Sequence, residues 1–152
     1  MEIIFRKLAD SRHDLEVRDR RGPDVRLPGQ ATGPSMPHDL VHAAVESALS
    51  ITDGFWGAMA QGATFEGFEP VVPTRHRRSG MKVLRRGGDA VMRAELCVNW
   101  AYRVWSGLST EGRGVGRSPL DDRQVALACA ALDQAAERWS GVAEGGSLTW
   151  RW

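Results

Sequence analysis

The chain has 152 residues, of which 20 are basic and 19 acidic, for a formal net charge of +1. A balance this close to zero argues against a generic nucleic-acid or membrane-surface binder, which carries a marked basic excess. The longest apolar run, Val125 to Leu132, has eight residues, against about twenty for a membrane span.

The total hides a partition. From Leu27 to Thr74 there is no Lys or Arg, and Asp39, Glu46, Asp53, Glu66 and Glu69 give that stretch −5. From Arg75 to Arg93, seven basic residues face Asp89 alone, giving +6. With 42% hydrophobic and 26% charged residues, the chain falls in the ordinary globular range. Its length predicts a single domain over residues 1–152 that buries about 70% of its surface. The N-terminus shows no basic and apolar leader. Cys97 and Cys129 form no Cys-x-x-Cys. Reduced, buried thiols in a cytoplasmic protein are the expectation.

In chain order, residues 2–8 and 13–19 read as strands joined by a turn at Asp10-Ser11. The second alternates, with Leu15 and Val17 on one face and Asp14, Glu16 and Arg18 on the other. Residues 24–27 suggest a third strand ended by Pro28-Gly29, and residues 28–37 a loop. A first helix starts near Ser35 to Pro37, with Ser35 as cap, and runs to about Ile51. Asp53 then caps a short helix from Gly54 to Gln61, stopped by Gly62. Residues 62–74 read as a loop, and Gly80 to Arg86 as another helical segment. Asp89 caps a longer helix to about Trp105, with Met92, Leu96, Trp100 and Val104 as its core stripe. Residues 107–117 read as a glycine-rich connection. Ser118-Pro119 predicts the start of a helix that continues to Trp139 and ends at Gly141. Residues 147–152 alternate as a last strand, which needs the N-terminal strands as its partner. The expected fold class is α+β: a small antiparallel sheet of N-terminal strands plus the C-terminal strand, with three to five helices on one face.

The chemistry concentrates in Pro37-His38-Asp39-Leu40-Val41-His42-Ala43-Ala44-Val45-Glu46. His38 and His42 are four residues apart on a predicted helix, so their side chains share a face and can grip one metal ion. Zinc or iron needs further ligands. Glu46, one turn on, and Asp53, at the next cap, are the first candidates, ahead of Glu66, Glu69 and His76. The absence of Lys and Arg around the pair suits a cation. Asp39 occupies the slot of the general base in His-Glu-x-x-His zinc proteases, one methylene shorter. Asp39 and Glu46 are therefore the candidate catalytic carboxylates. The pattern also fits two rings hydrogen-bonded at the core edge, or catalytic histidines without a metal.

His38-Asp39-Leu40-Val41-His42 resembles the His-Asp-x-x-His zinc motif of the ubiquinone-biosynthesis family usually called Coq-four. That resemblance implies metal binding at His38 and His42. The family completes its site with a later glutamate; at that place this sequence has Gly54, with Asp53 one position earlier. The match covers five residues and does not extend to quinone chemistry. The longer run Pro37 to Gly57 is similar to uncharacterised small proteins of actinobacteria, a resemblance that brings no activity with it.

Arg75-His76-Arg77-Arg78 with Lys82, Arg85 and Arg86 forms the basic patch. It reads either as a solvated face or as a grip for an anionic substrate, with Arg75, His76 and Arg78 foremost. Trp56, close to the histidines in sequence, is a candidate for lining the substrate pocket. Gly112 to Arg117 lacks the strand and lysine of a phosphate loop. No Gly-x-Ser-x-Gly is present, so a serine-hydrolase elbow has no support. Trp150 and Trp152 share one face of the last strand and suggest packing against a helix or a partner chain, which leaves room for a homodimer. The expected function is thus a small zinc- or iron-dependent enzyme performing hydrolysis or a related step on a small, anionic metabolite. The competing expectation is a non-catalytic interaction module containing a buried histidine pair.

Overall fold

Alternating apolar residues at the N-terminus build the first hairpin. In the computed structural model, which describes residues 1–73, 78–110 and 117–152, β1 (Glu2–Leu8) buries Ile3 and Phe5. It pairs antiparallel with β2 (Arg12–Arg18), which buries His13, Leu15 and Val17 on the same face. Asp10 and Ser11 both take positive φ at the turn, as a tight hairpin between right-twisted strands requires.

The third strand is longer than the sequence suggests. β3 (Val25–Ala31) runs through Pro28 and Gly29 rather than ending there. Its register with β2 shifts between His13 and Leu15. At that irregularity Gly29 adopts φ +62° and its N–H donates to Asp14 Oδ1 at 2.7 Å. The bulge thus absorbs the two residues that would otherwise break the ladder.

β5 (Glu69–Pro70) adds to β3, and β7 (Ser147–Arg151) pairs antiparallel with β1. The sheet order is β5-β3-β2-β1-β7. A separate two-stranded piece joins β4 (Ala63–Thr64) and β6 (Arg78–Ser79) in parallel.

The helices are α1 (His38–Ala48), α2 (Phe55–Ala60), α3 (Gly80–Gly87), α4 (Asp89–Trp105) and α5 (Asp122–Ser140). With the antiparallel five-stranded sheet they make an α+β fold. α1 and α5 meet the buried sheet face. Trp150 Nε1 on β7 donates to Ser47 Oγ of α1, and Trp139 of α5 meets the His13 ring edge-on. α4 packs outside them, touching both α1 and α5. No described helix is long and apolar enough to cross a membrane.

Four helix starts differ from expectation. α2 has no Asp53 cap, and α4 begins at Asp89 itself after Gly88, with no side-chain cap, so Asp89 does not cap it. α1 begins at His38 after Pro37, with no side-chain cap, so Ser35 has no capping role. α5 begins at Asp122, capped reciprocally by Asp121 and Gln124, while Ser118 Oγ holds the preceding turn at Leu120. The Asp-x-x-Gln box satisfies two backbone donors, and Ser118-Pro119 offers one at most.

α4 differs in orientation. Its core side is Ala94, Cys97, Val98 and Ala101. Met92, Leu96 and Val104, read as the core stripe, are 65%, 55% and 37% exposed. Small side chains let an outer helix approach two others closely, so that face wins over the larger residues. Cys97 is buried and Cys129 half-buried, and both are free thiols.

Candidate functional site

α1 carries the central residues because it is the helix enclosed by the others. Every residue from Leu40 to Glu46 is buried. His38 lies exposed at its first position and Asp39 half-buried beside it. His42 follows one turn later, nearly covered, and Glu46 one turn beyond at 1% exposure. The rings of His38 and His42 do share a face, with centroids 4.8 Å apart and planes at 75°.

Glu46 serves as a cap for the neighbouring helix. Its Oε1 accepts from the backbone N–H of Phe55 at 3.1 Å, and its Oε2 from that of Trp56 at 3.0 Å. These are the first donors of α2, which have no partner within their own helix. Gly54 makes the approach possible, since a Cβ there would lie 2.7 Å from the Glu46 carboxyl carbon. The cap expected from Asp53 is therefore supplied by Glu46, across nine residues of sequence.

His42 is clamped by two carboxylates. Its Nδ1 is 3.4 Å from Glu46 Oε1, and its Nε2 is 3.7 Å from Glu95 Oε2 on α4. Burial opposes the charged ring, but the Glu46 hydrogen bond and the charges of Glu95, Glu46 and Asp39 outweigh it. The His42 pKa is raised as a result. His38, although its residue surface is largely exposed, moves the other way, lowered first by partial desolvation of the ring and then by the neighbouring His42. Burial raises the Asp39 carboxyl, against the opposing pull of His13, His38 and His42. The two histidines of one helix face thus favour opposite protonation states.

His13 is the residue the sequence reading passed over. It lies on β2, 1% exposed, with Nδ1 3.0 Å from Thr32 Oγ1 and Nε2 buried without a hydrogen-bond partner. Its position two residues before Leu15, on the apolar face of an alternating strand, was the available signal. Glu95 was equally unmarked, because its contact with His42 depends on how α4 crosses α1.

The other candidates are dispersed. Trp56 is fully buried, and its Nε1 donates to the Asp39 carbonyl at 3.1 Å. It pins the first turn of α1 from within the core and offers no exposed wall to a substrate. Asp53 is exposed and lines a cavity of about 300 Å³ with Arg93, Cys97 and Gln124. Glu69 pairs with Arg26 at 2.8 Å. Arg75 and His76 lie outside the described residues, and Arg78 is described only through its backbone in β6. Lys82 and Arg85 are exposed on α3.

Among the described residues, no three His, Cys, Asp or Glu side chains converge in a group able to hold a metal ion. Of the expected ligands, Glu46 already has both oxygens engaged by the start of α2. Comparison with family models, with curated proteins and with solved structures gives no match. The functional argument therefore rests on the geometry of α1 and its neighbours.

Proposed function

We propose that the protein is a small enzyme that uses His38 and His42 as a general base and general acid in a hydrolytic step on a small molecule. The observation that carries this reading is their pairing: two rings 4.8 Å apart on one helix face, only one of them held between carboxylates. Glu46 and Glu95 favour a proton on His42. Partial desolvation of its ring, which is otherwise solvent-facing, and the charge of neighbouring His42 favour the neutral form of His38. Groups whose surroundings push their proton affinities apart suit acid and base roles at one pH. His38 then takes a proton from an attacking water, and His42 gives one to the departing oxygen or nitrogen. Asp39 adds a negative charge beside both rings.

A titration of the ring protons by NMR tests the pairing directly. Two separated transitions are expected, one below and one above the ordinary histidine value, both reported as properties of the coupled pair. A panel of chromogenic esters and phosphoesters supplies the activity readout, with His38→Ala and His42→Ala each inactive. Coincident transitions, or a double variant as active as the wild type, would end this reading.

A second reading has zinc or iron joining His38, His42 and Glu95. One arrangement favours it: the two rings share a face, and the 3.7 Å between His42 Nε2 and Glu95 Oε2 needs only a small side-chain shift to reach the roughly 3.3–3.6 Å edge of a tetrahedral site with ligands at about 2.0–2.2 Å. It requires His38 to turn toward Glu95. Metal analysis of the protein grown in metal-replete medium, beside the His38→Ala, His42→Ala double variant, separates the two readings. Stoichiometric metal lost in the variant selects the metal enzyme.

A further inference from the structure

We infer that the cavity enclosed by the end of α1, by α4 and by the start of α5 binds a free α-amino acid, with Arg93 on its carboxylate and Asp53 on its ammonium. The cavity holds about 300 Å³, at the small end of the range for small-molecule sites. Buried Ala94, Cys97 and Leu120 make its floor. None of His38, His42, Glu46 and Glu95 lines it, so it is separate from the histidine pair.

Asp53 and Arg93 bring opposite charges to this one cavity from different elements. No ion pair joins them, and neither has a hydrogen bond among the described residues. Two opposite charges that line one small cavity without meeting fit a ligand that carries both charges itself. An α-amino acid carries them across a single carbon atom. The arginine fork matches a planar carboxylate, and the Asp53 carboxylate accepts from an ammonium. A dianion or a dication would set one of the two side chains against its own sign. The Arg93 charge is felt at the Cys97 thiol on the floor, where it opposes the rise imposed by burial. Gln124 adds a donor beside Arg93. Its Oε1 is used by the α5 capping box, which leaves the amide nitrogen for the ligand carboxylate.

The wall of the cavity also carries backbone strain. At the end of α1 the Ile51 N–H donates to the Glu46 carbonyl and the Ser50 N–H to the Ser47 carbonyl. That paired closure sets the residue after the cap in the left-handed region, where glycine or sometimes asparagine is usual. Here the residue is Ser50, at φ +54°. Serine costs stability at such a position without strengthening the closure. Ser50 lines the cavity, and its hydroxyl has no partner among the described residues. The hydroxyl that glycine would lack is therefore a third polar contact for the amino acid.

Thermal unfolding of the full chain with each of the standard amino acids at about 10 mM is the first measurement. At least one should raise Tm by about 3–10 °C, and titration calorimetry should give it a Kd on the order of 0.1–1 mM. Its amide and its N-acetyl derivative should each bind at least about tenfold more weakly, since each loses one charged contact. Asp53→Asn and Arg93→Gln should weaken binding of the parent amino acid equally, with unchanged circular dichroism spectra. Ser50→Gly should raise the Tm of the free protein by about 2–4 °C and weaken binding about threefold or more. No shift with any of the amino acids overturns the inference. So does a derivative or a charge variant that binds like its parent, or a Ser50→Gly protein of wild-type affinity. The His38→Ala, His42→Ala double variant should bind the amino acid as the wild type does, so failure of this site and failure of the proposed acid–base pair are read separately.

Discussion

α1 and α4 cross each other in the same bundle and use opposite rules for what they bury. α1 is enclosed on nearly every side from Leu40 to Glu46, polar residues included, so His42 and Glu46 must find partners inside. α4 lies outermost, buries Ala94, Cys97, Val98 and Ala101, and leaves Met92 and Leu96 in solvent. An enclosed helix turns its polar groups into fixed structural contacts, whereas an outer helix is placed by whichever face permits the closest approach. The candidate chemistry sits where the two meet, at His42 and Glu95.

The sharpest way to break this contrast is at Glu46. Glu46→Ala leaves the Phe55 and Trp56 donors without acceptors and His42 without its inner partner. A loss of about 3 kcal/mol is expected in urea unfolding, since a stranded buried polar group costs about 1–3 kcal/mol. Gly54→Ala tests the same contact from the other side, because its Cβ meets the Glu46 carboxyl. A cost of about 1–3 kcal/mol follows from overpacking. If both variants unfold like the wild type, Glu46 is free for chemistry and its capping role is wrong.

On α4 the expectation is inverted relative to residue size. Ala101→Leu, which adds volume to the buried face, should cost about 1–3 kcal/mol. Leu96→Ala, which removes volume from the exposed face, should change monomer stability by less than about 0.5 kcal/mol. Chemical unfolding at low protein concentration measures both. A larger loss for Leu96→Ala than for Ala101→Leu would place α4 the other way round.

These two helices also mark how far the sequence could be read. β1, β2 and β7 were legible because alternation is local and each strand has one solvent face. The continuation of β3 past Pro28-Gly29 was not, because it depends on a bulge opposite Asp14. The stripe of α4 was found at the right spacing and given the wrong face. A 3.6-residue period does not say whether its large or its small residues are the packed ones. The His38–His42 face was legible from spacing alone. The role of Glu46 was not, since it depends on where α2 docks, although Gly54 beside a buried carboxylate is in retrospect its signature.

The finest test compares two buried histidines, one clamped and one stranded. The raised pKa of His42 means that the folded state favours its proton. That contribution is complete below the ordinary histidine value and fades as pH rises through the raised folded value. His42→Gln should therefore lose most relative to wild type in mild acid and progressively less toward pH 8. His13 runs the other way, because burial lowers its pKa ahead of the opposing Asp39 and Asp14 charges. Its neutral form is tolerated at pH 7, and stability is lost as pH falls from the ordinary value through the lowered one. His13→Phe removes the unpartnered Nε2 together with the Thr32 hydrogen bond, so it should stay within about 1 kcal/mol of wild type at pH 7. In mild acid, where the wild type pays to keep that ring neutral, the variant should become the more stable of the two. Urea unfolding at pH 5 and pH 7 measures the crossing. Parallel losses at both pH values would mean that packing against Phe5 and Trp139, rather than the stranded nitrogen, sets the energetics of that position.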